Sequence, residues 1–483
     1  QDQTYGGTKQ IAEYLRANDM YGNDTAYVLD NKFSSQSALD VFTKYGPKQD
    51  NALPTIFDVI VNRAHASGHE SQEALMDDIE YVLGKSPNAE KWQKADQVLR
   101  LWDEKVRAQD FSRSITGNPR MDAVELDGET HSVMDAIVSL GEAQGALRGA
   151  VNTEELDIDS VFGMLVGDAS PLSGYSPYSL LAHAVSGDPR TNENVQLAAI
   201  SNVFSANHNA LVDQVEASLA RIRDQYSDVD EVPTGLENVL ALAQGDATFM
   251  VADPDEDGNE IEINRAQAVF EIARTVNNAA YQRMIYDQYV VHLVGGIHFG
   301  YSPEQAKELM PDTDKLLPQD INMNEHGFSG VVPEVSPDVG LSFAGSAFRV
   351  GHSQIYPDLN GIKAEMSDEH LEFGQKIKRS LIEAFVQPTA VRKMGGSAGV
   401  LAANSSDRSM AIDTFVRDEV RNMLIGQPND LLAFNSERQY DLGLATLGTD
   451  QPRAGAGSGQ SQWRPQSLRR SLNRGSGVAD SSQ

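Results

Sequence analysis

The chain of 483 residues has no cysteine, so it holds no disulfide scaffold, thiolate zinc site, iron–sulfur cluster or cysteine nucleophile. Tryptophan is scarce, at 3 residues, and no run approaches the ~18 consecutive apolar residues of a membrane span. Positive charge is also short. The 39 Lys and Arg face 70 Asp and Glu, a net charge of −31, and such a field repels phosphate backbones and argues against nucleic acid as a partner. The opening QDQTYGG has neither the basic nor the apolar region of a signal peptide, and position 1 is not Met. We expect the chain to begin inside a longer polypeptide.

What is present suffices for a sizeable core: 40% apolar residues, with 16 Phe and 15 Tyr. Length alone allows about three domains or one large helical domain with insertions. Three-and-four spacing predicts helices over Ser71–Leu83, Ala89–Val106 and Ser132–Leu147, and a helix face at Ile56, Val59, Ile60 and Arg63. Residues 47–130 read as mostly helical. A long helix ending near Tyr226 carries a stripe of Leu197, Ile200, Val203, Phe204, Leu211, Val215 and Leu219, and a second covers Arg265–Leu293. Further helices are expected near Ser346–Ile355, Glu369–Phe385, Met410–Leu424 and Asp430–Glu437. Period-2 runs are few, so the fold class is mainly α. The last 32 residues, from Pro452, are rich in Gly, Ser, Gln and Arg and read as a flexible basic tail.

Several constellations are candidates for chemistry. Ala347-Phe-Arg349-Val-Gly-His352-Ser353 places one imidazole on a helix among small residues. On its own this is either a core histidine or, in a cysteine-free chain, the strongest candidate for an axial haem ligand. Gly187-Asp-Pro-Arg190-Thr-Asn-Glu193 makes a turn before the long helix, with Asn192 as candidate cap and Arg190 and Glu193 as a surface ion pair. Asp430-Leu-Leu-Ala-Phe-Asn435-Ser-Glu-Arg438-Gln-Tyr-Asp441-Leu-Gly443 reads alone as a helix with a glycine stop. His65-x-x-x-His69 has a metal-compatible spacing, but Gly68 interrupts it. Asp253-x-Asp255-x-Asp257-Gly258 is either the start of a calcium loop or, by preference, a solvated acidic hairpin, because Asn264 stands where the loop needs Glu.

Taken in chain order, these segments resemble the signature segments of the animal haem peroxidase family, the peroxidase–cyclooxygenase superfamily. The pattern Gly-Asp-x-Arg-x-x-Glu is matched at 187–193, its continuing His-Asn pair at His208-Asn209, the proximal-His motif at 347–353, and the Asn-bearing segment at 430–444. Tyr281–Gly295 resembles the segment before the proximal region. Asp2-Gln-Thr-Tyr5-Gly6 resembles the end of the calcium loop and the Tyr-Gly stretch after it.

The resemblance implies a mainly α peroxidase fold. Its core begins in 1–45, is interrupted by a helical insertion over 46–180, resumes over 181–451 and leaves 452–483 as the tail. It implies haem b with His352 on the iron, Asn435 bonded to the other ring nitrogen, Arg349 among the cofactor-binding residues and Glu193 as an ester link to a haem methyl. It also implies Arg190 as the catalytic residue facing hydrogen peroxide and Asp2 as a calcium ligand. Halide, phenol and Mn oxidation all stay open as the second half-reaction. The family's distal His and first calcium ligands precede the Tyr-Gly stretch, so the resemblance assigns them to an upstream polypeptide segment. Asn194 after Glu193 removes the family's sulfonium link, and Tyr440 and Leu442 replace a usual Arg and His. A secreted, extracellular, bacterial-type enzyme is the expectation. The alternative is a peroxidase-fold scaffold or matrix protein without haem, against which stands the retention of Arg190, Glu193, His352 and Asn435.

Overall fold

A computed structural model describes residues 2–33, 53–107, 114–166, 176–227, 233, 235–245, 248–252, 260–285, 289, 340–345, 347–366, 371–385, 390–411, 413–423 and 430–444. The chain divides into two compact units, one of 1–320 with 358–408 and one of 321–357 with 409–483.

In the larger unit, helix starts are fixed by hydroxyl and carboxylate caps. Thr55 and Asp58 form a capping box: Asp58 N–H donates to Thr55 Oγ1 at 3.4 Å, and Thr55 N–H donates back to Asp58 Oδ2 at 2.7 Å. Asp58 Oδ1 also accepts from Phe33 N–H at 2.8 Å and Oδ2 from the Thr55 hydroxyl at 2.8 Å, so this fully buried carboxylate is met by backbone and hydroxyl donors. The helix it starts, Ile56–Asn62, is buried on every side and not only along Ile56, Val59 and Ile60. Ser71 and Ser132 cap Gln72–Glu80 and Val133–Val151 through their hydroxyls, which accept from Ala74 and Asp135 N–H. With Ala89–Arg107 and Ile158–Val166, these helices close one hydrophobic core around Ile60, Leu75, Leu83, Leu147, Ile158 and Tyr178.

The stretch 47–130, read as mostly helical, ends in strand. Ala123–Leu126 and Glu129–Ser132 pair as an antiparallel hairpin, with Leu126 opposite Glu129. Asp127 and Gly128 both have positive φ, 54° and 80°, the mark of a two-residue type I′ turn, and an Asp-Gly pair was the signal to read. Helix Lys9–Tyr14 is followed by Arg16–Asn18, which pairs with Asp24–Val28.

The long helix is Val195–Gln225. Asn194, not Asn192, is its cap, accepting from Gln196 N–H at 2.7 Å. Its stripe also changes along its length. Leu219 and Val212 are buried, and Leu211 and Val215 pack with them against Val269 and Phe270 of the partner helix Arg265–Met284. In the first half, however, Ile200 and Val203 are exposed and the small Ala198, Ala199 and Ser201 are buried. There the helix meets Gly396–Asn404, bonded through Gln196 Nε2 to Asn404 Oδ1 at 2.8 Å. Close approach between helices selects small residues, so apolar spacing alone misplaces the face.

Glu369–Phe385, expected as helix, is mainly strand. Leu371–Ser380 pairs antiparallel with Asp358–Met366, and only Leu381–Ala384 is helical. Leu371, Phe373, Ile377 and Arg379 do alternate with Glu372, Gly374 and Lys378, a period-2 run masked by its charge. Gly361 and Gly399 let this ribbon and helix Gly396–Asn404 touch backbone to backbone, because a Cβ at either would strike the Met394 or Ile362 carbonyl.

In the smaller unit the described elements are a short helix, Leu341–Gly345, a 3-10 helix, Ala347–Gln354, a π turn, Glu419–Met423, and helix Leu431–Asp441. The π turn is all that forms among the described residues of the helix expected over Met410–Leu424. Among the described residues no helix is long and apolar enough to cross a membrane.

Candidate functional site

The sequence candidates fall into two clusters, each within one unit. In the smaller unit, Ala347–Gln354 has three residues per turn, so Arg349 and His352 are eclipsed on one face. Helix Leu431–Asp441 brings Asn435 to that face. Asp430 starts the helix by accepting from Leu432 N–H at 2.9 Å and is itself gripped by Arg421 at 2.7 Å. Gly345 lets Leu442 and Leu444 close onto it, since a Cβ there would stand 2.7 Å from Leu444 Cδ1.

The result is a three-residue chain. Asn435 Nδ2 lies 3.1 Å from His352 Nδ1, and Arg349 Nη1 donates to Asn435 Oδ1 at 3.2 Å. His352 Nε2 makes no hydrogen bond among the described residues. Among the described residues Arg349 Nε is buried without a partner. Burial, then the Arg349 charge, holds the His352 imidazole below its ordinary value, which favours the neutral form a metal needs. Phe343, Phe348 and Val350 remain about half exposed in the same segment. A half-buried neutral imidazole with one nitrogen braced and the other open, beside an unspent guanidinium N–H and apolar surface, fits a flat, carboxylate-bearing iron porphyrin.

The second cluster is the turn before the long helix. Gly187 N–H donates to Gln3 O at 2.8 Å, and Thr191 Oγ1 donates to Asp188 O at 2.9 Å. Asn192 clamps Ala184 through both amide atoms, at 3.1 and 2.7 Å. On this rigid turn Arg190 pairs with Asp188, not with Glu193. Its Nε donates to Asp188 Oδ1 at 2.9 Å, and Nη2 donates to Oδ2. Arg190 keeps Asp188 well below the usual carboxylate range, while its own side chain is 67% exposed and Nη1 stays clear of the fork. Glu193 is exposed, and its carboxylate makes no hydrogen bond among the described residues.

The His-Asn pair of the long helix has a different fate. His208 Nδ1 lies 2.9 Å from Tyr5 Oη, and Nε2 lies 3.1 Å from Ala26 O. Asn209 holds Val28 through its N–H and C=O, both at 3.0 Å. Asn277, which the sequence did not single out, donates to Tyr5 Oη at 2.8 Å. Its only signal was a polar residue inside an apolar helix face.

Other candidates resolve as ordinary contacts. His65 Nε2 meets Met20 O at 2.8 Å and His69 Nε2 meets Ala150 O at 3.2 Å, so the pair does not share a metal. Among the described residues no group of three or more His, Asp or Glu could hold a metal ion. The acidic loop at 253–258 lies outside the described residues, but its flanks, Phe249–Ala252 and Glu260–Ile263, pair antiparallel as the hairpin reading requires. The calcium assignment of Asp2 rests on a side chain outside the described residues.

The family model for animal haem peroxidases matches residues 179–448. The chain belongs to the animal haem peroxidase family. Among solved structures it is similar to peroxidase A from Dictyostelium discoideum, with 19% identity over 55% of this chain and 37% of that one and a TM-score of 0.30. The chain therefore spans little more than a third of that peroxidase's length. No curated protein matches it significantly.

Proposed function

We propose that this member of the family binds haem b and reduces hydrogen peroxide, oxidising a small halide, phenolic or manganese substrate. The observation that carries the reading is His352 itself, braced at Nδ1 by Asn435 at 3.1 Å and open at Nε2. Bound there, haem would supply the redox chemistry that the side chains lack. His352 would hold the iron, and Asn435 would orient its ring and tune its donation. Arg349, with a buried Nε seeking an acceptor, would take a haem carboxylate.

Arg190 fits the peroxide. Its charge is permanent, Asp188 fixes its position, and the free Nη1 would stabilise negative charge developing on the departing oxygen. Glu193, exposed one turn away, is the candidate for an ester to a haem methyl. For the base that moves the proton between the peroxide oxygens we assign no residue of this chain; a polypeptide segment bearing a distal imidazole would fill that role. Secretion accords with the strongly acidic composition, and calcium remains a proposed ligand at Asp2.

The test is an absorption spectrum with a pyridine haemochrome assay of the native protein. A Soret band that shifts on adding peroxide, with peroxide-dependent oxidation of a phenol, is expected. A protein that stays colourless after haem is added would overturn the reading and favour a scaffold role.

A further inference from the structure

Hydrogen-bond polarity settles the order of atoms in the Arg349–Asn435–His352 chain. A guanidinium has donors only, so the Asn435 atom 3.2 Å from Arg349 Nη1 is the carbonyl oxygen. The other end of that amide, a donor only, then faces His352 Nδ1 at 3.1 Å. Nδ1 is therefore an acceptor, and the single proton of the neutral ring sits on Nε2. This is the wrong tautomer for a ligand that must offer its Nε2 lone pair. To offer it, the proton must sit on Nδ1 and the Asn435 amide must turn over so that Oδ1 accepts. The turned amide would set Nδ2 against Arg349 Nη1, donor against donor. Arg349 must leave first.

We propose, resting on the haem reading above, that Arg349 is a latch: it holds Asn435 and His352 in a non-ligating arrangement until a porphyrin carboxylate draws its guanidinium away. Arg349 is ready to move to such an acceptor, because among the described residues its buried Nε has no partner and the 3-10 helix sets it on the same face as His352. A carboxylate would take Nε and one Nη in a planar fork, releasing the amide. Arg349 is thus a positioning residue, acting on the iron ligand through Asn435. Carboxylate recognition and ligand orientation become one event, so a flat apolar molecule without carboxylates would not switch the site.

The experiment compares two probes on the full chain, iron protoporphyrin IX and its dimethyl ester, titrated by Soret absorbance into native protein and Arg349→Met. Native protein should bind the free acid about tenfold or more tighter than the ester, and Arg349→Met should bring that ratio close to one. The latch makes a further demand that a simple carboxylate contact does not. With nothing left to release, the ester should bind Arg349→Met several-fold more tightly than it binds native protein. Ester affinity unchanged or weakened by the substitution would overturn the latch while leaving haem binding intact.

If neither porphyrin binds native protein, the haem reading fails. The latch is then decided in the apoprotein by the nitrogen chemical shifts of His352, assigned by comparison with His352→Gln. A proton on Nε2 is expected, and a proton on Nδ1 overturns the proposal. That measurement also decides the matter if Arg349→Met does not fold.

Discussion

Around His208 both ring nitrogens are closed, one by Tyr5 Oη and one by the Ala26 carbonyl, and Phe270 packs at a ring distance of 4.8 Å. Around His352 one nitrogen is held and the other makes no hydrogen bond among the described residues, on a 3-10 helix whose Phe348 and Val350 remain about half exposed. Both histidines stand in segments that resemble one family, and only the motif around His352 singles it out as a ligand. The distinction lies in what is left unbonded. Where every polar atom has a partner, a histidine is part of the scaffold that holds Asp2–Tyr5, strand Asp24–Val28 and helix Arg265–Met284 together. Where one is left open beside another unspent donor, it is available to a ligand.

The contrast predicts opposite outcomes for two alanine substitutions. His208→Ala leaves the Tyr5 hydroxyl and the Ala26 carbonyl without their partner in a closed core, and should cost about 4 kcal/mol in urea unfolding. His352→Ala, half-exposed, should cost under about 1 kcal/mol yet abolish haem binding. If His352→Ala proves the more destabilising of the two, the assignment of roles is reversed.

The same contrast has a pH signature. Burial lowers both His208 and His183 to about 4. A histidine whose folded value is depressed favours the neutral form, so the folded state holds fewer protons than the unfolded chain between about pH 4 and 6.5. Stability present above pH 6.5 should therefore be lost as pH falls towards 4, by up to about 3 kcal/mol for each histidine. Unfolding midpoints across that range should show it. His208→Gln should shrink the acid loss by roughly half, and an unchanged profile would mean that His208 is not the group responsible.

A smaller effect sharpens the point. Tyr5→Phe removes the hydroxyl that bridges His208 and Asn277, and Asn277 Nδ2 keeps its second acceptor, Phe204 O, at 3.0 Å. The expected cost is about 1–2 kcal/mol, with haem affinity unchanged. The smallest change concerns the helical core far along the chain from either imidazole: Thr55→Ala should cost about 1 kcal/mol through loss of its cap, again without changing the Soret band.

How much of this was legible depends on the range of the interaction that fixes each feature. Local features could be read. Ser71, Ser132 and Asp430 start their helices where their spacing says, and the motif order placed His352 and Asn435 in one site although 83 residues separate them. Features set by a distant partner could not. Ile200 and Val203 look like a buried stripe until helix Gly396–Asn404 claims the small residues beside them. Leu371–Ser380 looks helical because its lysines hide an alternation that matters only once Asp358–Met366 lies alongside. The pairing of Arg190 with Asp188 in place of Glu193 follows from the sharp turn at Pro189, where the two side chains fold onto one another. The Arg349–Asn435 bond was equally hidden, because motif patterns give residue types and not which way an amide faces.

The most direct test of the central claim is a haem titration followed by Soret absorbance, run side by side on native protein, His352→Ala and His208→Ala at neutral pH. The account predicts that native protein and the folded fraction of His208→Ala bind one haem each, while His352→Ala stays folded and binds none. Equal haem binding by His352→Ala, with an unaltered Soret band, would contradict it.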